Sequence, residues 1–220
     1  LSRGLGDVYK RQLSPEHPVA RGMAENPDTF FTHRESCNNY YDAVPAIVED
    51  YMNKVSEITG RKYGLFSYYG AADAERVIIA MGSVTEAIRE TIDHLTAQGE
   101  KVGLVAVHLY RPFSAKHFLA AVPATAKTIA VLDRTKEPGA NGEPLYLDVK
   151  ECFYGKENAP VIVGGRYGLG SNDTTPAQIL AVYENLALPE PKNQFTLGIV
   201  DDVTFTSLPQ KEEVAMGGEG

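Results

Sequence analysis

The stretch that decides the fold covers residues 77–133 and reads VIIAMGSVTEAIRETIDHLTAQGEKVGLVAVHLYRPFSAKHFLAAVPATAKTIAVLD. Three short apolar runs within it predict buried parallel strands, at residues 77–81, 102–109 and 128–133. Two helices are predicted between the strands. The first, at residues 83–98, starts with an S-x-x-E pattern typical of a capping box, and the second covers residues 114–122. This alternation predicts an α/β fold, an open parallel sheet with helices on both faces.

The alternation continues on the carboxyl side of this stretch. Helices are predicted at residues 145–153 and 176–187, and strands at residues 161–163 and 195–200. The Pro-Glu-Pro sequence at residues 189–191 breaks this pattern and is the predicted internal domain boundary.

The amino-terminal side is less regular. Residues 43–59 place apolar side chains at three- and four-residue steps, which predicts a helix with Asp42 as its N-cap and Gly60 as its stop. Residues 16–39 are polar and contain prolines, which favours an extended, lid-like or linker segment. The aromatic residues 63–70 predict a short strand and turn, and residues 1–12 are interpreted as a tag or an artefact.

Composition narrows the class of protein. The chain has 220 residues and a net charge of -8, which argues against nucleic acid as a partner. No apolar run approaches the roughly 20 residues that span a bilayer, so we expect no membrane contact and a cytoplasmic location. The two cysteines, Cys37 and Cys152, are too few for a zinc site or an iron–sulfur cluster. They could form a disulfide, but free thiols are predicted.

The loop at residues 133–139, DRTKEPG, follows a predicted strand at the sheet edge where ligands usually bind. Arg134 and Lys136 could hold an anion there, and Glu137 could act as a base. The alternative is a turn whose charges pair with one another and with solvent, and composition alone favours this turn.

Two glycine-bearing turns are weaker candidates for a phosphate site. Gly82 and Ser83 lie where a strand leads into a helix, and residues 164–170, GGRYGLG, follow another strand. Neither has the spacing of a P-loop or of a dinucleotide fingerprint. A tight capped turn is favoured for the first, and a flexible connection or domain contact for the second.

No catalytic, cofactor-binding or metal-binding residue is predicted. None of the histidines has a serine or cysteine partner at a recognisable catalytic spacing, and the five are His17, His33, His94, His108 and His117. His94 is expected to be solvated and His108 to lie in the core or an interface. The tyrosine pairs at residues 40–41 and 68–69 are interpreted as packing or interface aromatics, since no basic residues alternate with them.

The chain also resembles two known families. Residues 77–133 resemble the C-terminal domain of transketolase-like thiamine enzymes, with a strand, a Gly-Ser turn, a helix, a strand ending in Arg-Pro-Phe and a further strand. Longer strings resemble pyruvate:ferredoxin oxidoreductase, the large anaerobic enzyme also called pyruvate:flavodoxin oxidoreductase. They are EHPVARGMAENPDTFFTHRE, YYDAVPAIVEDYMNKVSEITGRKYGLFSYYGAADAERVI, LDRTKEPGANGEPLYLDV and FTLGIVDDVTFTSLP, and they lie between residues 16 and 209.

The second resemblance implies three regions of that enzyme. Residues 13–72 would be the tail of the pyrimidine-binding domain with a linker, and residues 73–188 the transketolase-C-like second domain. Residues 189–220 would be a linker and the truncated start of a third domain. A lone strand cannot bury its own faces, so the strand at residues 195–200 is expected to be poorly held.

The resemblance also implies a function for the parent enzyme. It oxidatively decarboxylates pyruvate to acetyl-CoA with thiamine diphosphate, Mg²⁺ and coenzyme A, and passes electrons through 4Fe-4S clusters to ferredoxin or flavodoxin. In that family the glutamate that activates thiamine lies upstream of this region, and the segment that binds diphosphate and magnesium lies far downstream. The resemblance therefore implies an inactive fragment that holds no cofactor and serves contacts with the rest of its polypeptide and with a second subunit of a homodimer.

The residues predicted to form such contacts lie in two loops. They are Arg111, Pro112 and Phe113 in the first loop, and Arg134, Lys136 and Glu137 in the second. Two alternatives stay open at this point. The chain could be a stand-alone α/β module that binds a small anion at Gly82 and Ser83 or at residues 134–136, or the equivalent domain of another 2-oxoacid oxidoreductase.

Overall fold

The computed structural model describes residues 14–16, 24–201, 203–209 and 211. The chain divides into two compact units, Leu1–Asp42 and Ala43–Gly220. The tag-like interpretation of residues 1–12 falls outside the described residues. Helix α1, Pro27–Ser36, belongs to the first unit, and helix α2, Asn38–Thr59, begins in the first unit and continues in the second.

Two expectations for this amino-terminal region were wrong. Residues 27–36 are helical rather than extended, because Pro27 occupies the first turn of α1, where a missing N–H group costs nothing. Helix α2 begins at Asn38 rather than after Asp42, and it includes Pro45 within its length. Proline was therefore a misleading sign of extended chain at Pro27.

The second unit is built on one six-stranded sheet with the strand order β1-β3-β2-β4-β5-β6. The strands are β1 Phe66–Gly70, β2 Arg76–Met81, β3 Val102–Val107, β4 Thr128–Asp133, β5 Val161–Arg166 and β6 Phe195–Thr196. Strands β2 to β6 pair in parallel, which confirms the predicted open parallel α/β sheet. Strand β1 runs antiparallel to β3 at one edge, so the complete sheet is mixed.

Helices cover both faces of the sheet, as predicted. They are α3 Val84–Ala97, α4 Ala115–Ala121, α5 Pro144–Phe153 and α6 Pro176–Leu186. On one face, α3 and α6 bury Ile88, Ile92, Ile179 and Val182 against the sheet. On the other face, α4 and α5 bury Phe118, Leu145 and Val149. Neighbouring residues of one strand serve opposite faces, which explains why the central strands are apolar throughout their length.

The start of α3 differs from its prediction. Ser83 already has helical backbone angles, with φ -63° and ψ -25°, and its side chain makes no capping hydrogen bond. The S-x-x-E pattern is therefore not a capping box here, because an N-cap needs an extended backbone to turn its side-chain oxygen towards the first turn.

Among the described residues, no helix is both long enough and apolar enough to cross a membrane.

The last strand is better held than expected. Thr196 and Phe195 pair with β5, and the Phe195 side chain is fully buried. The expectation that this strand would be poorly held is wrong, because it joins the same sheet as the preceding strands. It is also shorter than the predicted residues 195–200. The domain boundary at residues 189–191 stays a prediction.

Gly165 is the position on β5 where the Phe195 ring approaches most closely. A Cβ atom at Gly165 would lie 2.3 Å from two carbons of that ring and 2.9 Å from Leu132. Gly165→Ala is therefore expected to lower the free energy of unfolding by about 1–3 kcal/mol through overpacking. Denaturant unfolding measures this loss. Val161→Ala on the same strand is the control, since Val161 is 53% exposed, and an equal loss in both variants would contradict the prediction.

Candidate contact surface at the carboxyl edge of the sheet

The loops that follow the parallel strands meet at one edge of the sheet. Gly82 and Ser83 follow β2, residues 108–113 follow β3, residues 134–139 follow β4 and residues 167–170 follow β5. They surround a cleft of about 360 Å³, here called the carboxyl-edge cleft. Its lining comprises Met81, Gly82, Ser83, Tyr110, Leu132, Asp133, Arg134, Thr135, Pro144 and Tyr167. The structure thus brings Ser83 and Arg134, two residues that the sequence singled out, to one place.

Asp133 anchors the start of helix α5 to the end of strand β4. Its side chain is almost completely buried, and its two carboxylate oxygens accept hydrogen bonds of 3.0 Å from the backbone N–H groups of Leu145 and Tyr146. These are two of the N–H groups that a helix leaves unpaired in its first turn. The Glu143 side chain, which precedes the helix, makes no capping bond. Burial raises the pKa of the Asp133 carboxyl, although the two N–H donors oppose this shift.

A second buried carboxylate, that of Glu143, pairs with a lysine of the loop after β4 and with an arginine of β5. Glu143 is 2% exposed, and its Oε1 lies 3.5 Å from Arg166 Nη1 and 3.9 Å from Lys136 Nζ. The backbone N–H of Glu137 also points at this oxygen, at 3.5 Å. Lys136 is therefore paired with Glu143, whereas Glu137 is held only through its backbone N–H and its side chain is exposed.

Arg134 connects the same loop to the glycine-rich segment after β5. Its Nε donates a 2.9 Å hydrogen bond to the carbonyl oxygen of Gly168. Gly168 has φ 64°, and a Cβ atom there would lie 3.0 Å from Arg134 Nε. A glycine is needed at this position because the backbone is left-handed and the arginine packs directly against it. The segment at residues 164–170 thus makes a close internal contact, and the contact leaves part of the Arg134 guanidinium facing the cleft.

Arg111, Pro112 and Phe113 form the loop after β3, with a cis peptide bond between Arg111 and Pro112. The Arg111 guanidinium lies 3.9 Å from the centre of the Tyr110 ring, and its Nη1 lies 2.7 Å from Asp148 Oδ2 on α5. Burial raises the pKa of the Tyr110 hydroxyl, and Arg111 opposes this shift. The Arg111 side chain stays 53% exposed, so it can contact a partner without losing these bonds.

One arrangement was missed by sequence reasoning. Ser114 Oγ lies 2.6 Å from His117 Nδ1, and His117 Nε2 lies 3.7 Å from Glu49 Oε2. The serine and histidine sit three residues apart at the start of α4, so the pair follows from helix geometry. The glutamate is too far away for a hydrogen bond. The carboxyl-edge cleft is lined by neither Ser114 nor His117, and we assign this array no chemistry.

The other sequence candidates do not assemble into a reactive site. Cys37 and Cys152 are free thiols, as predicted. Within the described ranges, no group of three or more His, Cys, Asp or Glu residues is placed to hold a metal ion. His108 follows β3 and is exposed, so it does not lie in the core. Partial desolvation and the positive charge of Arg89 both lower the pKa of its imidazole. His17 falls outside the described residues.

Known proteins resemble this chain over part of their own length. Residues 74–179 match the family model of pyruvate:ferredoxin oxidoreductase core domain II. The pyruvate-flavodoxin oxidoreductase of Klebsiella pneumoniae is 59% identical over 214 residues, which cover 97% of this chain and 18% of that protein. The pyruvate:ferredoxin oxidoreductase of Moorella thermoacetica is 55% identical over 211 residues, with 96% and 18% coverage. The resemblance to pyruvate:ferredoxin oxidoreductase inferred from the sequence is confirmed.

The chain thus spans about 18% of the length of these two relatives and covers only a part of such enzymes. A solved structure was also found, the 2-oxoglutarate:ferredoxin oxidoreductase from Magnetococcus marinus. It matches with a TM-score of 0.43 and 21% identity, over 76% of this chain and 27% of that one.

Proposed function

We propose that this chain is a structural part of a pyruvate:ferredoxin or pyruvate:flavodoxin oxidoreductase, and that it holds other parts of that enzyme in place. The observation that carries this proposal is the match of residues 74–179 to core domain II, together with 59% identity over 97% of the chain. The carboxyl edge supports it, since its buried carboxylates are used in anchoring helix α5 and in pairing with Lys136 and Arg166.

The whole enzyme would convert pyruvate and coenzyme A to acetyl-CoA and carbon dioxide and pass electrons to ferredoxin or flavodoxin. The cysteines of this chain do not fit the iron–sulfur clusters of that reaction. A 4Fe-4S cluster needs about four cysteine thiolates and the sequence has two cysteines. We therefore derive no step through a cluster or through thiamine diphosphate. Other parts of the enzyme would bind these groups, and the isolated chain would be inactive. The whole enzyme would be a homodimer and would be located in the cytoplasm.

A chimeric enzyme tests the proposal directly. This chain would replace the matching segment of the Klebsiella pneumoniae relative, and the product would be assayed for pyruvate-dependent and coenzyme A-dependent reduction of flavodoxin. Activity within about ten-fold of the unmodified relative is expected, since homologous domains keep their packing surfaces. The isolated chain at the same concentration is the negative control. A chimera that folds and loads its cofactors but shows no activity would contradict the proposal.

One observation favours a second candidate function, a small-anion-binding module. Ser83 at the start of α3 and the guanidinium of Arg134 line the same carboxyl-edge cleft. Inorganic phosphate should then raise the melting temperature of the isolated chain, and Arg134→Ala should abolish the rise. We favour the structural role, because residues 74–179 match a domain model of that enzyme family.

Arg134 and Lys136 are predicted to contact another domain or subunit in the full enzyme. In the chimera, the double change Arg134→Ala and Lys136→Ala should lower turnover or weaken dimerisation about ten-fold, the effect of losing roughly 1.4 kcal/mol of contact energy. Lys116→Ala, which removes an exposed lysine on α4, is the control. Turnover and sedimentation would be measured together. If both quantities match those of the control, the interface role is wrong.

A further inference from the structure

Helix α2 carries a row of apolar side chains that stay about half exposed or more among the described residues. This surface, here called the α2 stripe, is formed by four side chains at steps of four, four and three residues. Their exposed fractions are 52% for Ile47, 63% for Tyr51, 45% for Val55 and 83% for Ile58. At about 100° per residue, these steps keep the four side chains within roughly 80° of the helix circumference. A stripe this narrow is typical of a helix face that packs against a partner.

Only part of the apolar side of α2 is sheltered by other residues of the chain. Val44, Val48 and Met52 lie beside the stripe and are partly sheltered. Two polar contacts also join the helix to other parts of the second unit. Ser56 Oγ accepts a 3.0 Å bond from the backbone N–H of Tyr63, and Glu49 lies 3.7 Å from His117. Packing within the chain therefore explains why Val44, Val48 and Met52 are apolar. It does not explain why the side chains of the α2 stripe are apolar.

We propose that the α2 stripe packs against an apolar surface of another domain of the same polypeptide in the full-length enzyme. This inference rests on the proposed function, and it adds a specific surface to it. The relatives contain more than four-fifths of their sequence outside the matched region, since the match covers 18% of their length. Such additional sequence provides a partner that is always present next to this chain.

The size of the stripe favours a linked partner over a second copy of this chain. Four half-exposed side chains offer on the order of 400 Å² of apolar surface, which is typical of contact sites on soluble proteins. Free partners usually need about 800 Å² on each side. A domain joined through the polypeptide needs less, because the linkage gives it a high effective concentration. Asp50 and Lys54, beside the stripe, pair with each other at 2.6 Å, so the partner surface should be mainly apolar rather than charged.

The experiment compares the same substitutions in the isolated chain and in the Klebsiella pneumoniae chimera. The test variant is Tyr51→Gln with Ile58→Gln. The matched control is Asn53→Gln with Glu57→Gln, which changes exposed polar positions on the same helix. In the isolated chain, the test variant should keep the melting temperature of the parent and bind about two-fold less of a hydrophobic dye. In the chimera, it should lower activity about ten-fold, as expected for the loss of a central apolar contact.

Each other outcome overturns the inference. Test and control variants with equal activity and melting temperature in the chimera would show that the stripe has no partner there. A loss of stability in the isolated chain would show that the stripe is already buried within it. A dimer of the isolated chain that the test variant dissociates would identify a second copy as the partner. An unsubstituted chimera without activity would overturn the proposed function, and the inference with it, so the two failures are distinguishable.

Discussion

Phe118→Ala should lower the free energy of unfolding of this chain by about 3–5 kcal/mol, because it removes a large side chain from a packed core and leaves a cavity. Phe118 is fully buried. Its ring centre lies 5.6 Å from that of Phe66, 5.4 Å from Phe113 and 6.1 Å from Phe153. These separations and the tilted or edge-on geometry are favourable for aromatic pairs, so the lost contacts add to the lost burial.

The effect should reach the predicted contact loop. Phe113 is the third residue of that loop, and it packs against both Phe66 and Phe118. Removing Phe118 takes away one support of the loop that also carries Arg111. In the chimera, Phe118→Ala should therefore reduce activity even at temperatures where the protein stays folded.

Denaturant unfolding of the parent and of two variants measures the first effect. The matched control is Phe205→Ala, since the Phe205 side chain is 84% exposed. The control should change the free energy of unfolding by less than about 0.5 kcal/mol. A loss below about 1 kcal/mol for Phe118→Ala would mean that the aromatic cluster is loosely packed.

The sequence predicted best the strands that are buried on both faces of the sheet, because such strands are apolar at nearly every position. Strand β4 was predicted to the residue as Thr128–Asp133, and every residue from Ile129 to Asp133 is buried. A run of this kind leaves few other structures possible. The direction of β1 could not be derived in this way, because antiparallel pairing with β3 depends on which edge the chain reaches in three dimensions.

The candidate surface was predictable in outline and not in detail. The carboxyl ends of parallel strands share one edge, so the meeting of the loops after β2, β4 and β5 follows from topology. The roles of individual residues do not. Asp133 accepts hydrogen bonds from residues 12 and 13 positions later, and Arg134 donates to a carbonyl 34 positions later. Such partners depend on tertiary packing, and no local spacing encodes them.

A helix face that packs against a partner outside the chain cannot be recognised from the sequence pattern alone. The exposed apolar side chains of α2 produce the same three- and four-residue pattern as a helix that packs on its own sheet. Only the structure shows that Tyr51 and Ile58 are left exposed among the described residues.

Asp133→Ala is the second change with a large expected effect, a loss of about 2–4 kcal/mol in the free energy of unfolding. The substitution leaves the backbone N–H groups of Leu145 and Tyr146 without their acceptors. Each buried unpaired donor costs about 1–3 kcal/mol, and the removal of a desolvated carboxylate offsets a part of this sum. Asp73→Ala is the control, since that carboxylate is exposed and pairs with Lys101. Equal losses in the two variants would exclude the anchoring role of Asp133.

The dependence on pH separates the two opposing influences on Asp133. Burial raises the pKa of this carboxyl in the folded chain above its ordinary value. The folded state then binds the proton more readily than the unfolded state between these two pKa values, so this carboxyl lowers stability as pH rises through that interval. Asp133→Asn cannot titrate at this position. The stability of the parent minus that of Asp133→Asn should therefore increase as pH falls through the interval and level off below the ordinary carboxyl pKa. A decrease over the same interval would show that the two N–H donors, rather than desolvation, dominate the pKa of Asp133, and hence that α5 is anchored by the ionised carboxylate.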